Sequence, residues 1–251
     1  MNLEVLIIAL EDSVRRANYN DFPLPFRFLN AVRGNPQNEF DNYVCQLTYG
    51  RKARDGEMGC TLSHVKAARE FIASSGFQWC LILEDDAKLE DDALDSISAF
   101  ESIESDDPLI YLLGHSKTDA SNLTVQRLVQ PFYSTHSIGT HQFGTNGANR
   151  CGTVSYVMNR AAAELLARSP SIFWITDDWQ ILKNMGIKVF HPKKPIVYEQ
   201  VDGQSSTGNS VFIEHDFWKR PLLLSLVIVR EQAKYWLYRA GLKMPYQKKY
   251  L

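Results

Sequence analysis

The stretch "CLILEDDAKLE", Cys80 to Glu90, decides how the chain is read: Cys80-Leu81-Ile82-Leu83, preceded by Trp79, runs without a break into Glu84-Asp85-Asp86. A short apolar run that ends in polar residues reads as a buried strand. Three adjacent carboxylates at its mouth repel one another and raise one another's pKa, so the arrangement costs stability unless a cation or a proton offsets it. If the strand geometry continues, Glu84 and Asp86 point one way and Asp85 the other.

Upstream, "EMGCTLSHVKAAREFIAS" (Glu57 to Ser74) places Met58, Leu62, Val65, Ala68 and Ile72 on one helical stripe that leads into this strand. Earlier still, Leu3 to Leu10 reads as a buried strand, "EDSVRRANY" as a helix start capped by Asp12 or Ser13, and Phe26 to Gly34 as a short second strand. Downstream, "DDALDSISAFESI" reads as a helix and "PLIYLLGH" as a strand. The polar, Gly/Asn/His-rich text from Ser116 to Asn149 is expected to form loops or a hairpin rather than core. "CGTVSYVMNRAAAELLARS" gives a strand and a helix, "TDDWQILKNM" a helix capped by Thr176 or Asp177, "GIKVFHP" a strand, and "EQVDGQSSTGNS" a loop. This alternation predicts an α/β domain over residues 1–210, with a central, mostly parallel sheet and helices on both faces.

Residues 211–251 differ in character: eight Lys or Arg stand against three Asp or Glu, a balance of +5 in an aromatic-rich, helical tail. The tail has two readings. One lays its apolar and aromatic residues in a membrane interface with Lys and Arg toward anionic lipid. The other packs it on the domain or on a second copy of the chain, because Leu222 to Val229 is apolar on every side. The whole chain is near neutral, with 27 basic and 29 acidic side chains, which argues against a nucleic-acid partner. Cys45, Cys60, Cys80 and Cys151 are scattered, with no C-x-x-C pair, and read as reduced thiols. The N-terminal apolar run, Val5 to Leu10, follows Glu4 rather than a basic segment and fits a signal peptide poorly, so a cytoplasmic location is expected. No segment reaches the ~20 apolar residues of a spanning helix.

Ligands of open α/β sheets bind at the carboxyl ends of strands, and Glu84-Asp85-Asp86 falls at such an end. Two carboxylates there can chelate a hard divalent cation; equally, acids in this place can cap a following helix in solvent. Asp177-Asp178 poses the same choice between general base and helix cap.

Taken together, "GEMGCTLSHVKAARE" (Gly56 to Glu70), "LILEDDAKL" (Leu81 to Leu89), "CGTVSYVMNRAAAELL" (Cys151 to Leu166) and "TDDW" resemble the successive blocks of glycosyltransferase family 25, the bacterial lipooligosaccharide galactosyltransferases and their relatives. "IIALEDSVRR" is similar to that family's opening. The resemblance implies a GT-A-like nucleotide-sugar domain that moves a hexose, often galactose, from a UDP-sugar to a glycan hydroxyl with inversion. It places Asp86, helped by Glu84, on Mn2+ or Mg2+ through a DxD-like motif, and makes Asp177 or Asp178 the base. Ile8, Ala9, Arg15, Arg16, Ser63, His64, Glu84, Asp85, Gly152, Thr153, Gln204 and Ser205 are its candidates for binding the nucleotide sugar or acceptor, with His191 and His215 as spare metal ligands.

Several of these carry a plainer reading: a helical His is often structural, an Arg pair is often a solvated face, and a strand glycine often serves close packing. The implied partners are a nucleotide sugar and a lipid-linked glycan, with a peripheral place on the inner face of the cytoplasmic membrane and a homodimer as further expectations. A nucleotidyl or phosphoryl transferase and a non-catalytic nucleotide- or glycan-binding domain are the rival functions. The absence of a G-x-x-x-x-G-K-[ST] loop argues against a P-loop enzyme.

Overall fold

The computed structural model describes residues 2–114, 123–145, 152–200 and 221–242. Strand β1 (Leu3–Ala9) is buried along its whole length, as its unbroken apolar sequence requires. Its side chains alternate: Leu6 and Ile8 enter the core on one face of the sheet, and Leu3, Val5 and Ile7 enter the core on the other. On either side of it lie β2 (Arg27–Asn30) and β3 (Trp79–Glu84), both parallel to it. Between β1 and β2 the chain makes a 3-10 helix, Val14–Tyr19, rather than an α-helix. Its cap is Ser13, whose hydroxyl accepts from the Arg15 amide.

Helix α1 (Asn42–Tyr49) is capped by Asp41 and ends at Gly50, whose φ of 71° is the left-handed geometry glycine adopts without strain. No periodic apolar stripe marks it in the sequence. Helix α2 (Asp55–Ala73) is the apolar stripe anticipated from Glu57 onward, and it closes the first face. After β3 a turn at Asp85-Asp86 leads into β4 (Ala87–Leu89), then α3 (Ala93–Ala99) and β5 (Leu109–Leu112). Next come α4 (Leu123–Val129), a hairpin of β6 (Ser134–Ile138) and β7 (His141–Thr145), β8 (Ser155–Asn159) and α5 (Arg160–Ala167). The domain is completed by α6 (Trp179–Asn184), β9 (Lys188–Pro192) and β10 (Val197–Glu199), the last pairing with β4 as a small antiparallel ribbon.

The main sheet runs β2-β1-β3-β8-β5-β9-β7-β6. It is mixed rather than mostly parallel in its pairings, because β8 lies antiparallel between β3 and β5, and β7 lies antiparallel to β9. Between β5 and β8 the chain spends its length on a short helix and a hairpin, so no single βαβ crossover fixes the direction of β8. Helices do cover both faces: α2, α5 and α6 supply one core and α3 the other. The hairpin also departs from expectation, since β7 extends the sheet and Ile138 and Phe143 are buried. Phe143 is held there edge-on to Phe100 and Tyr111, with ring centroids 5.9 and 5.4 Å away. Helix α6 is capped by Asp178, not by Thr176 or Asp177.

Helix α7 (Pro221–Arg239) rests against α4: the Gln232 amide donates to the Leu128 carbonyl, and Tyr133 packs on Tyr235 and Tyr238. Its opposite side is open. Leu222 is 82% exposed, and Leu226, Val229 and Trp236 are about two-thirds exposed. Within the single chain, then, only Leu224 of the Leu222 to Val229 run is buried.

Candidate functional site

Strands β1, β3 and β5 all end at one edge of the sheet, and antiparallel β8 begins there. Alternation along β3 sends Cys80 and Ile82 into the core beneath α2, and Glu84 follows them toward the same side. There Glu84 Oε1 lies 3.2 Å from His64 Nε2 of α2 and accepts a short hydrogen bond from the Thr153 hydroxyl. The other ring nitrogen of His64 is 2.9 Å from the Tyr156 hydroxyl. Burial pushes the Glu84 pKa up, but His64, Thr153 and the charge of Arg15 outweigh it, so the carboxyl sits below its ordinary value. Cys60, one turn before His64, brings its thiol into the same group: the donor atoms of Cys60, His64 and Glu84 all lie within 4.8 Å of one another.

Because the strand ends at Glu84, Asp85 and Asp86 do not diverge as continued strand geometry would require. Both face the same guanidinium, with Arg15 3.6 Å from Asp85 and 3.4 Å from Asp86. Ser13 donates a short hydrogen bond to the other Asp85 oxygen. Asp86 Oδ1 is buried and has no hydrogen-bond partner. Burial raises the Asp86 pKa to about 8, and the charges of Glu84 and Glu199 add to the effect against the opposing pull of Arg15. Tyr19 braces the turn from below, its hydroxyl donating to the Glu84 carbonyl at 2.7 Å. Burial, then the charge of Asp86, pushes the Tyr19 pKa upward, so that hydroxyl remains a donor.

The two acids at the start of α6 separate cleanly. Asp178 has both oxygens engaged, one by the Gln180 amide and one by the Tyr49 hydroxyl at 2.9 Å, which makes it a helix cap. Asp177 is not the cap and feels the charge of Glu84: burial first, then the charges of Asp178, Glu84 and Glu57, raise its pKa. Other candidates fall outside the cluster. Arg16 donates to the carbonyls of Leu10 and Ala9 and to Asn30, and stacks on Phe28, so it ties off the end of β1 rather than lying in solvent. Ser63 spends its hydroxyl on the Gly59 carbonyl and the Val32 amide, joining α2 to the segment after β2.

Ile8 sits in register with Glu84, and the Ala9 carbonyl accepts from the Ala31 amide, so both are buried supports of the edge. Gly152 has φ of 114°, a conformation L side chains rarely adopt, and it delivers Thr153 to Glu84. His191 is buried in β9 and is not one of the Cys60, His64, Glu84 group. Cys151, Gln204, Ser205 and His215 lie outside the described residues. Cys60, Tyr156 and Tyr19 also touch the acidic cluster or its neighbours, with no motif that marks them as such in the sequence. The only signal for Cys60 was its C-x-x-x-H spacing from His64 on a helix, which puts two donors on one face.

A cluster of acids at the carboxyl edge of an α/β sheet stands where ligands of open α/β sheets commonly bind. A sequence profile described as Glycosyltransferase family 25 (LPS biosynthesis protein) matches residues 2–179, and the chain belongs to that family. It is thus a glycosyltransferase by family, which implies a nucleotide-sugar donor and a glycan acceptor. Among solved structures, A197 from STIV aligns with 11% identity and a TM-score of 0.41, over 78% of this chain and 83% of that one. A glycosyltransferase involved in glycosylation of the major capsid of PBCV-1 aligns with 8% identity and a TM-score of 0.41, over 84% and 97%. The apo form of the glycosyltransferase GlyE of Streptococcus pneumoniae TIGR4 aligns with 10% identity and a TM-score of 0.35, over 99% and 66%. No curated protein matches the chain. The family assignment rests on the sequence match alone.

Proposed function

We propose that this chain is an inverting, metal-dependent glycosyltransferase with a GT-A-like domain, moving a hexose, galactose in the first instance, from a UDP-sugar to a lipooligosaccharide or similar surface glycan. The observation that carries the metal-bound diphosphate site is the buried, unpartnered Oδ1 of Asp86, in a turn next to Glu84 where Asp85 and Asp86 face one arginine. A carboxylate so placed fits a hard divalent cation, which takes oxygen ligands and leaves positions for phosphate. Asp86, with Glu84 beside it, would hold Mn2+ or Mg2+; the ion's contribution is charge that offsets the negative charge gathering on the departing UDP.

The chain's own residues do the rest. Arg15 keeps Asp85 and Asp86 together and adds positive charge to the phosphate side of the cleft. Asp177, with its raised pKa, is the base that accepts the proton of the acceptor hydroxyl, on the face of the sugar opposite the leaving group. Holding hydroxyl, base and anomeric carbon in line removes much of the entropic barrier.

Calorimetric titration of UDP with and without Mn2+, followed by UDP release over a panel of sugar nucleotides, tests this reading. Binding should be metal-linked and one donor should turn over; metal-linked binding with no turnover on any acceptor would mark a non-catalytic binder. Asp177→Asn should lower transfer by roughly 10²–10⁴-fold with UDP affinity unchanged, whereas Asp178→Ala should mainly cost about 1 kcal/mol of stability through the lost cap. Full activity in Asp177→Asn would remove the base assignment.

The open side of α7 supports a peripheral place on the inner face of the cytoplasmic membrane. Leu222, Leu226, Val229 and Trp236 form an outward apolar stripe, with Arg230, Lys234 and Arg239 on the same helix to meet anionic headgroups. No helix among the described residues is long and apolar enough to cross a membrane. Leu226→Glu with Trp236→Glu should abolish sedimentation with anionic liposomes. A loss of dimer instead, with lipid binding unchanged, would assign the stripe to a homodimer.

A further inference from the structure

We propose that Cys60, His64 and Glu84 form a second metal site, for a thiophilic divalent ion such as Zn2+, at the floor of the cleft. Cys60 and His64 are one helical turn apart on α2 and face the end of β3, so helix and strand together supply thiol, imidazole and carboxylate. Donors on a tetrahedral zinc lie roughly 3.3–3.8 Å apart, given bonds of about 2.0–2.3 Å. The 3.2 Å approach of His64 Nε2 to Glu84 Oε1 already matches, and Cys60, within 4.8 Å of both, closes the set by side-chain rotation.

An independent feature points the same way. Metal-bound histidines commonly have their other ring nitrogen fixed by an outer partner, which sets the tautomer and ring orientation. Here the Tyr156 hydroxyl, 2.9 Å from Nδ1, fills that place and leaves Nε2 directed at Glu84. The thiol selects the metal: sulfur favours Zn2+ over Mn2+ or Mg2+, which prefer all-oxygen sites. Binding replaces the Cys60 S–H bond with a sulfur–metal bond and releases that proton to solvent. Three protein ligands leave a fourth position for water or substrate. The site is distinct from the hard-cation site proposed at Asp86 and shares only Glu84 with it. The ion would pin α2 to the carboxyl edge of β3 and fix the Glu84 carboxylate that borders the donor site.

The full chain, stripped with a chelator and dialysed, is titrated with Co2+ as a spectroscopic stand-in for Zn2+. One equivalent should produce a thiolate-to-cobalt charge-transfer band in the near ultraviolet that Zn2+ abolishes. Cys60→Ser should eliminate the band, Cys45→Ala and Cys80→Ala should keep it, and Tyr156→Phe should weaken Co2+ affinity about 10- to 100-fold. Should Cys60→Ser fail to fold, His64→Gln takes its place, with at least a roughly 10-fold loss of affinity expected. No charge-transfer band in the wild-type protein, or a band that persists in Cys60→Ser, overturns the site and leaves the trio a hydrogen-bonded contact between helix and strand. The readout needs no turnover: a protein that transfers sugar with Mn2+ yet shows no band loses only this site, and one with the band but no transfer loses only the catalytic reading.

Discussion

Glu57 and Asp86 are carboxylates of similar exposure, 10% and 14% of the side chain, in opposite circumstances. Glu57 receives bidentate contact from Arg51 at 2.8 Å, a further 2.8 Å contact from Arg54, and the Arg54 amide. Burial works against it, yet these partners bring its pKa down to about 2. Asp86 shares one more distant guanidinium with Asp85, faces Glu84 and Glu199, and ends near 8. A carboxylate that only builds the fold is satisfied by the fold. One left with a bare buried oxygen is the kind of group that marks candidate functional sites.

The sharpest way to break this contrast is Asp86→Asn. It should lower transfer by about 10²-fold or more and remove the Mn2+ dependence of UDP binding. In chelator-treated protein the same change should raise the melting temperature, because it removes an acid that the turn does not satisfy. A lower melting temperature without metal would mean that Asp86 is a structural group like Glu57, and the contrast would fail.

Glu57→Gln should behave in the opposite sense and affect stability rather than chemistry. The folded pKa of Glu57 lies below its ordinary 4.5, so its stabilisation is complete above that pH and drains away as pH falls toward about 2. With its arginines about half exposed, the loss at pH 7 should be on the order of 2 kcal/mol. Denaturant titrations at pH 7 and near pH 2 check this; an equal cost at both pH values would show that packing, not charge, carries the effect.

The half of the site on β3 was legible because its signals are local: an apolar run, an abrupt acidic block, and a helical stripe before it. What could not be read depends on contacts between distant residues. His64 meets Glu84 across 20 residues and Tyr156 across 92, and nothing in either neighbourhood marks the pairing. Arg16, in a basic pair that sequence alone places in solvent as readily as on a nucleotide, folds back onto the carbonyls that end β1. Strands β4 and β10 are three residues each, too short for a period-2 pattern, although they set the turn that carries Asp85 and Asp86. Helix α6 starts one residue later than the sequence pattern indicates, which hands the cap to Asp178 rather than to Asp177.

A smaller effect sharpens the contrast from the interior. Trp179 Nε1 is also buried without a protein partner, but Trp179 lines a small cavity of about 20 Å³ that Thr61, His64, Tyr156 and Thr176 help to line. A cavity of that size has room for one water, and although most of its lining is apolar, Thr61 and Thr176 stand among its walls, so a water there would satisfy the indole as no protein atom does at Asp86. Trp179→Phe removes the donor and keeps most of the ring, so with that water in place it should cost no more than about 1 kcal/mol. The measurement is a denaturant midpoint at unchanged slope, paired with a search for an ordered water in a crystal structure. Were Trp179→Phe stabilising, the indole would be an unmet donor of the same kind as Asp86, and the rule that orphaned polar atoms mark the cleft would not extend to the core behind it.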